Sequence, residues 1–256
     1  MKTPNLDALA SKSLVLTNAY TQVALCGPSR NSFLSGRRPD TTRCYVTEDK
    51  VRESIPDIIT MPQYFKQHGY LALGTGKIFH PGERDTLLSV STVVTCPGAG
   101  IPNTNKGEDY PASWTEKIFH TPTTDDNSHS WHSYTDQELE DLVLRDVANA
   151  DHFIERLNEL APAAISGEQP FFYAMGFHKP HQPWDAPQEF FDLYPEDEID
   201  LPANPYIPED MPASAWSRFT GVLNFPDCSP EGTGIPNLGE ANVTYPDSKI
   251  KELRRA

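Results

Sequence analysis

Residues 69–77 read Gly-Tyr-Leu-Ala-Leu-Gly-Thr-Gly-Lys, an apolar run of strand length that glycines interrupt just before a lysine. The pattern predicts a strand over 70–73. Before it, Thr60-Met61-Pro62-Gln63 has the capping-box pattern of a helix start, and that helix is predicted to end near Gly69. Farther along, residues 171–177 form an apolar run short enough to be a buried parallel strand. Helices and strands therefore alternate, which predicts the α/β class.

Weaker patterns of the same kinds cover the rest of the chain. Helices are read from apolar residues three or four apart, strands from short apolar runs, and loops from polar stretches rich in Pro and Gly. The predicted segments are a strand over 13–20 and a weaker one over 90–95, helices over 30–34 (ended by Gly36) and over 135–157 behind a second capping box, and loop-rich excursions over about 81–132 and 195–247.

The composition excludes several classes of protein. The 256 residues carry 21 Lys and Arg against 36 Asp and Glu, a formal net charge of −15, so the surface repels nucleic-acid phosphates. No stretch of the sequence reaches the roughly 18 consecutive apolar residues of a membrane span. The 4 cysteines form no CxxC pair, which argues against a zinc site and a dense disulfide framework. The first residues show no apolar signal-peptide core, and the compartment stays open.

Three short motifs concentrate the residue types that carry chemistry. Cys26 lies in Leu-Cys-Gly-Pro-Ser-Arg, residues 25–30, between a predicted strand and a predicted helix. A thiol at a helix start near an arginine suits a nucleophile, and the alternative is a buried, inert cysteine. Residues 76–80 read Gly-Lys-Ile-Phe-His, and residues 176–181 read Gly-Phe-His-Lys-Pro-His. The first of these is not a nucleotide-binding loop, because Ile78 stands where a Ser or Thr is required.

Together these motifs resemble the signatures of the type I sulfatases. Residues 26–30, followed by Ser-Gly-Arg at 35–37, resemble the first signature of that family, and residues 69–80 resemble the second. Within the family, the stretches 36–43, 62–66 and 178–181 look most like the iduronate-2-sulfatase branch. The resemblance implies an alkaline-phosphatase-like α/β fold, a three-layer sandwich with a mixed central sheet. Residues 1–256 are then expected to form one partial catalytic domain, incomplete at both ends.

The resemblance implies hydrolysis of sulfate esters, with a sulfated carbohydrate as substrate. In the family, a formylglycine-generating enzyme oxidises the signature cysteine to Cα-formylglycine, and the hydrated aldehyde attacks sulfur. Arg30 is expected to steady the hydrate, Lys77 to offset sulfate charge and His80 to handle the hydrate's proton, while His178 binds sulfate or protonates the leaving oxygen. The implied site residues are Cys26 as nucleophile and metal ligand, Arg30, Lys77, His80 and His178 as further catalytic residues, and Lys77, His178 and Lys179 as substrate-binding residues.

The resemblance also implies a bound calcium ion, Ca2+, held by oxygen ligands. The consecutive aspartates that the family places after its first core strand are not found before Thr3. Asp125-Asp126 is the only adjacent aspartate pair, and it lies in a polar stretch where we expect it to be solvated. Cys26 alone remains of the implied metal ligands. Because a missing cation removes Lewis-acid stabilisation of the transition state, we expect weak or no turnover by this chain.

Two other functions fit the same motifs. A phosphonate or phosphate monoester hydrolase of the same superfamily would act on a similar tetrahedral anion at the same cysteine. A catalytically silent module that binds sulfated glycans would keep Cys26 as a thiol. Turnover of aryl sulfate against aryl phosphonate separates the two enzymes, and the mass of the Cys26 peptide identifies the silent module. The sequence leaves the sugar, its linkage and the oligomeric state open.

Overall fold

The computed structural model describes residues 1–47, 49–80, 108–121, 128–203, 210–212, 221–235 and 243–256. Helices and strands alternate along these residues. In chain order the elements are α1 (Pro4–Ala10), α2 (Cys26–Ser35), α3 (Pro39–Thr42), α4 (Val51–Ser54), α5 (Met61–Gln67), β1 (Leu71–Gly76), β2 (Trp131–Tyr134), α6 (Asp136–Leu139), α7 (Arg145–Ile165), β3 (Phe171–Gly176), β4 (Trp184–Pro187), α8 (Gln188–Phe191), α9 (Pro230–Thr233) and α10 (Asp247–Arg255), with 3-10 turns at Glu196–Glu198 and Gly221–Asn224.

The elements form two compact units. The first unit comprises Met1–Thr123 with Asp146–His178, and the second comprises Thr124–Arg145 with Lys179–Ala256. All of the predicted catalytic residues belong to the first unit. Lys179, which is predicted to bind substrate, belongs to the second.

A parallel pair of strands is the framework of the first unit. β1 pairs with β3 along its whole length, so that Gly76 lies opposite Gly176. All residues of β1 after Leu71 are buried, as expected for a parallel strand that is covered on both faces. The ring of Phe65 in α5 stacks on Phe172 in β3 at a centroid distance of 4.7 Å, which places this helix against the strand pair. The α/β order predicted from the apolar runs is confirmed in this unit.

Part of the predicted loop excursion over 81–132 packs against β1. The Gly76 amide donates a hydrogen bond to the Phe119 carbonyl at 2.8 Å, along the edge of β1 that β3 does not occupy. Trp114 is 0% exposed, and its indole N–H donates to the Glu108 carbonyl at 2.6 Å. These contacts supply hydrogen bonds and apolar volume beside β1, so this stretch contributes to the core although it has almost no regular structure.

One apolar core joins α2 to β1. Leu34 of α2 and Ala72 of β1 are both buried in it, and burial of each large side chain stabilises the fold by roughly 1.5–3 kcal/mol. The helix that carries Cys26 is therefore fixed on the strand that precedes Lys77. The buried members of this core are Leu34, Ala72, Ile78, Phe79, Trp114 and Ile118.

The predicted capping box at the start of α5 is confirmed. The Thr60 hydroxyl accepts a hydrogen bond from the Gln63 amide at 3.3 Å, and the Gln63 side-chain oxygen accepts one from the Thr60 amide at 3.4 Å. Thr60 is buried, and its hydroxyl also hydrogen-bonds the Ser113 hydroxyl. The cap thus begins the helix and ties it to the stretch 108–121.

Thr60→Ala is expected to lower the free energy of unfolding by about 1–2 kcal/mol, because it removes the cap and the partner of a buried hydroxyl. Thr60→Ser keeps the hydroxyl and serves as the matched control, with an expected loss below about 0.5 kcal/mol. Urea unfolding followed by circular dichroism measures both variants. Equal losses would show that the threonine methyl group carries the effect and not the cap.

The predicted strand over 13–20 is wrong. Residues 11–20 are exposed, and no strand among the described residues pairs with them. Leu14 is 87% exposed, so this run does not bury its apolar side chains here. An apolar run becomes a strand only where a neighbouring strand satisfies its backbone groups, and the sequence of the run does not show whether that neighbour exists. The weaker strand over 90–95 lies outside the described residues.

The single helix predicted over 135–157 is also wrong, because α6 and α7 are separated by residues 140–144. The predicted capping box is confirmed, since the Thr135 hydroxyl accepts a hydrogen bond from the Glu138 amide at 3.3 Å. The break coincides with three consecutive apolar residues, 142–144, which cannot all share one helix face. Val143 within that run is 55% exposed.

The second unit is organised around another parallel pair, β2 with β4, in which Trp131 lies opposite Trp184. The Trp131 indole N–H donates to the Glu252 carboxylate of α10 at 2.8 Å. Asp227 accepts hydrogen bonds from both the amide and the hydroxyl of Ser130 at 2.8 and 2.6 Å. Among the described residues, no helix combines the length and apolar character that crossing a bilayer requires.

Candidate active site

Cys26 is the first residue of α2. Leu25 before it is extended, and the Ser29 amide closes the first helical turn on the Leu25 carbonyl at 3.0 Å. The helix was predicted over 30–34 and begins four residues earlier, because Pro28 needs no amide partner in a first helical turn. The free thiol of Cys26 is partly exposed. It therefore lies at a helix N-terminus, where the helix dipole favours negative charge.

Arg30 follows Cys26 by one helical turn and is fixed to the end of β1. One guanidinium nitrogen, Nη1, donates to the carbonyls of Lys77 and Ile78 at 2.7 and 2.6 Å. Burial lowers the pKa of Arg30, while the nearby Cys26 and Glu108 raise it and so oppose that shift. The side chain thus holds the start of α2 against the stretch that carries Lys77.

Lys77 and His178 lie at the same edge of the strand pair, since each follows the carboxyl end of one of two neighbouring parallel strands. Lys77 is buried, with 7% of its surface exposed, and its amide donates to the Gly176 carbonyl at 2.8 Å. The backbones approach so closely that a Cβ atom on Gly176 would lie 1.9 Å from the Lys77 carbonyl oxygen. The strand ends therefore meet only because this position is glycine.

His178 is held from α7, and His80 follows a backbone segment that is also held by a carboxylate. The His178 amide donates to both carboxylate oxygens of Asp146, at 2.8 and 2.9 Å. The Phe79 amide, directly before His80, donates to the Glu108 carboxylate at 3.0 Å. Both histidines are partly exposed. An acidic side chain from a distant part of the chain thus fixes the backbone at His178, and another fixes it at Phe79, the residue before His80.

Lys179 has partners within the second unit. Its ammonium group donates to the Pro183 carbonyl and lies 3.8 Å from the buried carboxylate of Asp185. The other oxygen of Asp185 lies 3.2 Å from His129 Nε2. These contacts restrain the side chain of Lys179, which directly follows His178 in the sequence.

Glu108 and Asp146 support the site, and sequence reasoning did not single out either residue. Glu108 is 1% exposed and lies 3.5 Å from His120 Nε2 in addition to its bond to Phe79. It stands in a stretch read as a solvated loop, where the following Asp109-Tyr110-Pro111 gives no periodic signal. Asp146 is in the first turn of α7, where an acidic residue is ordinarily explained by the helix dipole alone. Neither residue carries a local sequence signal, because the backbone amide that each carboxylate accepts from lies 29 or 32 residues away in the chain.

The described residues do not fit the calcium site that the resemblance implies. Among them, no group of three or more His, Cys, Asp or Glu side chains is placed to hold a metal ion. Asp125-Asp126 lies outside the described residues. Of the implied ligands, Cys26 is the one that these residues contain.

Arg30→Met is expected to lower the free energy of unfolding by about 2–4 kcal/mol, because two buried carbonyls lose a charged donor. Arg37→Met is the matched control, since Arg37 is exposed two residues after the same helix and should change stability by less than about 0.5 kcal/mol. Denaturant unfolding compares them. An Arg30→Met loss as small as that of Arg37→Met would show that water replaces the guanidinium at both carbonyls.

Comparison with known proteins finds sulfatases that are similar to this chain. Mouse iduronate 2-sulfatase is 33% identical over 249 residues, which cover 92% of this chain and 41% of the mouse protein, and the human enzyme is 32% identical over the same lengths. A sulfatase of Formosa agariphila is 33% identical over 218 residues, 82% of this chain and 40% of that protein. The chain therefore spans about two fifths of the length of these relatives.

A family model described as Sulfatase matches residues 1–215, which include every predicted site residue. The fold of that family is alkaline-phosphatase-like α/β, so the fold class expected from the sequence is confirmed. The matched stretch covers well over half of the chain, and the chain belongs to the sulfatase family.

Proposed function

We propose that this chain carries the nucleophile half of a sulfuric ester hydrolase of the iduronate-2-sulfatase type, acting on sulfated carbohydrates. The observation that carries the proposal is the placement of Cys26 at the start of α2, joined through Arg30 to the carbonyls of Lys77 and Ile78. This places a modifiable thiol, two cations and the edge of a parallel strand pair in one unit. Such an edge is where α/β folds bind their ligands.

Conversion of Cys26 to formylglycine, by a formylglycine-generating enzyme, would supply a hydrated aldehyde as the nucleophile. The chain's own groups have separate roles. Arg30 orients the start of α2 and adds positive charge beside it. Lys77, buried at the strand edge, neutralises charge on sulfate oxygens, and its low exposure strengthens that interaction.

The two histidines would move protons. His80 accepts or returns the proton at the nucleophile oxygen, and His178 hydrogen-bonds sulfate or protonates the leaving oxygen. The Asp146 carboxylate fixes the backbone of His178, which limits where its ring can lie. Lys179 remains a predicted substrate-binding residue, and its contacts with Pro183 and Asp185 within the second unit restrain its side chain. The names of the relatives support a sulfated uronic-acid sugar as the substrate class.

The modification is tested by co-expression with a formylglycine-generating enzyme and mass analysis of the tryptic peptide of residues 13–30. We expect a loss of about 18 Da at Cys26, from exchange of sulfur for oxygen with removal of two hydrogens. An unmodified thiol, under conditions that convert a known sulfatase peptide, would reject the proposal and favour a silent glycan-binding module.

The reaction is tested by sulfate release from aryl sulfate and from sulfated uronate disaccharides, with aryl phosphonate in parallel. We expect the sulfate esters to be preferred. A converted protein that prefers aryl phosphonate would instead be a phosphonate hydrolase. The matched control is the same protein expressed without the modifying enzyme, whose Cys26 remains a thiol.

A further inference from the structure

A cation and an anion both hold the short backbone segment that joins Lys77 to His80. The Arg30 guanidinium donates hydrogen bonds to the carbonyls of Lys77 and Ile78 at 2.7 and 2.6 Å. The carboxylate of Glu108 accepts a hydrogen bond, at 3.0 Å, from the amide of the residue directly before His80. Three consecutive residues are therefore bound through their backbones, and the two predicted catalytic side chains start from fixed positions.

Glu108 is almost fully buried, with 1% of its surface exposed. A buried charge is costly unless it is paired and hydrogen-bonded, and apolar residues of similar volume are often at least as stabilising as a buried ion pair. The polar contacts of this carboxylate include the Phe79 amide and the ring of His120, whose Nε2 lies 3.5 Å away. Stability alone therefore does not explain why a carboxylate stands here.

The charge of Glu108 also acts on Arg30. Burial lowers the pKa of Arg30, and the nearby Cys26 and Glu108 oppose that shift. The carboxylate thus helps to keep the guanidinium charged where it is partly removed from water. Arg30 needs this charge, because charge-assisted hydrogen bonds are roughly twice as strong as neutral ones. The anion and the cation therefore support each other on one backbone segment.

Neighbouring residues fix the position of Glu108 itself. Its own carbonyl accepts the indole N–H of the buried Trp114 at 2.6 Å. The next residue, Asp109, accepts two hydrogen bonds from the Arg52 guanidinium, at 2.5 and 2.8 Å. Because these contacts restrain the backbone at Glu108, its carboxylate can hold the Phe79 amide in a defined place.

We propose that Glu108 is a positioning residue of the sulfate site. Its carboxylate and the Arg30 guanidinium hold the segment that they share, which places the side chains of Lys77 and His80. Glu108 acts through these residues and not on the sulfate itself. The inference rests on the proposed function and deepens it, because a residue outside the three motifs then controls where the sulfate-binding lysine lies.

The test is binding of inorganic sulfate to the chain with unmodified Cys26, measured by isothermal titration calorimetry. Glu108→Gln keeps the side-chain volume and an oxygen that can accept from the Phe79 amide, but it removes the charge. A negative charge that merely lay near an anion site would repel the anion, so its loss would tighten binding. If Glu108 positions Lys77, we expect the opposite sign, with sulfate bound at least ~3-fold more weakly. Equal or tighter binding would overturn the inference.

Glu108→Asp is the second variant, because it keeps the charge and withdraws the carboxylate by one methylene group. We expect it also to weaken sulfate binding by ~3-fold or more, whereas a nearby charge without a positioning role would leave binding unchanged. The matched control is Glu116→Gln, which removes the same charge from an exposed position in the stretch 108–121 and should leave binding within ~2-fold. Urea unfolding confirms that each variant is folded, and Glu108→Asp decides if Glu108→Gln does not fold.

Lys77→Met locates the bound sulfate, since binding at this lysine should be lost in that variant. Binding that persists in Lys77→Met, or no measurable binding by the wild type, would also overturn the inference. Sulfate binding does not require formylglycine, so failure of the proposed function is seen separately, as a Cys26 that stays unmodified on co-expression. An unmodified Cys26 together with weakened binding in Glu108→Gln would reject the proposed function and leave the positioning role standing.

Discussion

Cys26→Ala is expected to abolish the weak sulfate release expected of this chain, since no other side chain at the start of α2 can supply the nucleophile. Ser29, the nearest hydroxyl on the same helix face, already hydrogen-bonds Thr21. The measurement is sulfate release from an aryl sulfate by protein co-expressed with a formylglycine-generating enzyme. A hydrazide label, which reacts with the aldehyde, gives a readout that does not depend on turnover.

Cys228→Ala is the matched control for this experiment. Cys228 is also a free cysteine, but it is 0% exposed and lies beside Ser130 in the second unit. We expect the Cys228→Ala protein to take the hydrazide label as the wild type does, and Cys26→Ala to take none. Labelling that persists in Cys26→Ala, or sulfate release above about a tenth of the wild-type rate, would contradict the assignment of the nucleophile.

Gly176→Ala is expected to lower the free energy of unfolding by about 3–5 kcal/mol. The added Cβ would lie 1.9 Å from the Lys77 carbonyl oxygen. The two strands are equally close at the facing Gly76, where a Cβ would lie 2.0 Å from the Gly176 carbonyl oxygen. Both contacts are backbone atoms of a paired strand, so neither can rotate away. The strand ends must separate, which moves Lys77 away from His178. Urea unfolding measures the loss.

Gly167→Ala separates this steric effect from the general cost of replacing a glycine. Gly167 has a φ of +78°, and nothing lies within 4 Å of the position of its Cβ. Its substitution should therefore cost only about 1 kcal/mol, the strain of a left-handed backbone. If the two variants lose similar amounts, the close approach of Gly176 to Lys77 is relieved by movements that the static structure does not show.

Local signals account for the parts of the fold that were predicted from sequence. The capping box at Thr60 and the apolar runs of β1 and β3 depend on neighbours in the chain, and the structure has all three. The segment 13–20 has an equally apolar pattern but no pairing strand among the described residues. The break between α6 and α7 was missed because the apolar spacing of 135–157 continues through it. Pairing and packing decide such cases, and neither is visible in a short window.

The residues of the candidate site also divide into those with a local sequence signal and those that depend on tertiary packing. Cys26 and Lys77 were predicted as site residues because each stands in a compact motif, and the structure joins their segments through Arg30. Glu108 and Asp146 were not found, since each acts on a backbone amide 29 or 32 residues away. A single carboxylate carries no sign of such a distant partner. Their positions depend on the tertiary fold alone.

The parallel pairing of β1 with β3 has a consequence for the timing of synthesis. Leu71 pairs with Phe171, so about 100 residues separate partner positions in the two strands. At a translation rate of ~5–20 residues per second, β1 waits roughly 5–20 s for its partner to emerge. During this interval the stretch to which Arg30 attaches is not yet fixed, and the segment around Cys26 remains open to a modifying enzyme. The proposed oxidation of Cys26 is therefore expected to take place on the nascent chain, before the strand pair closes.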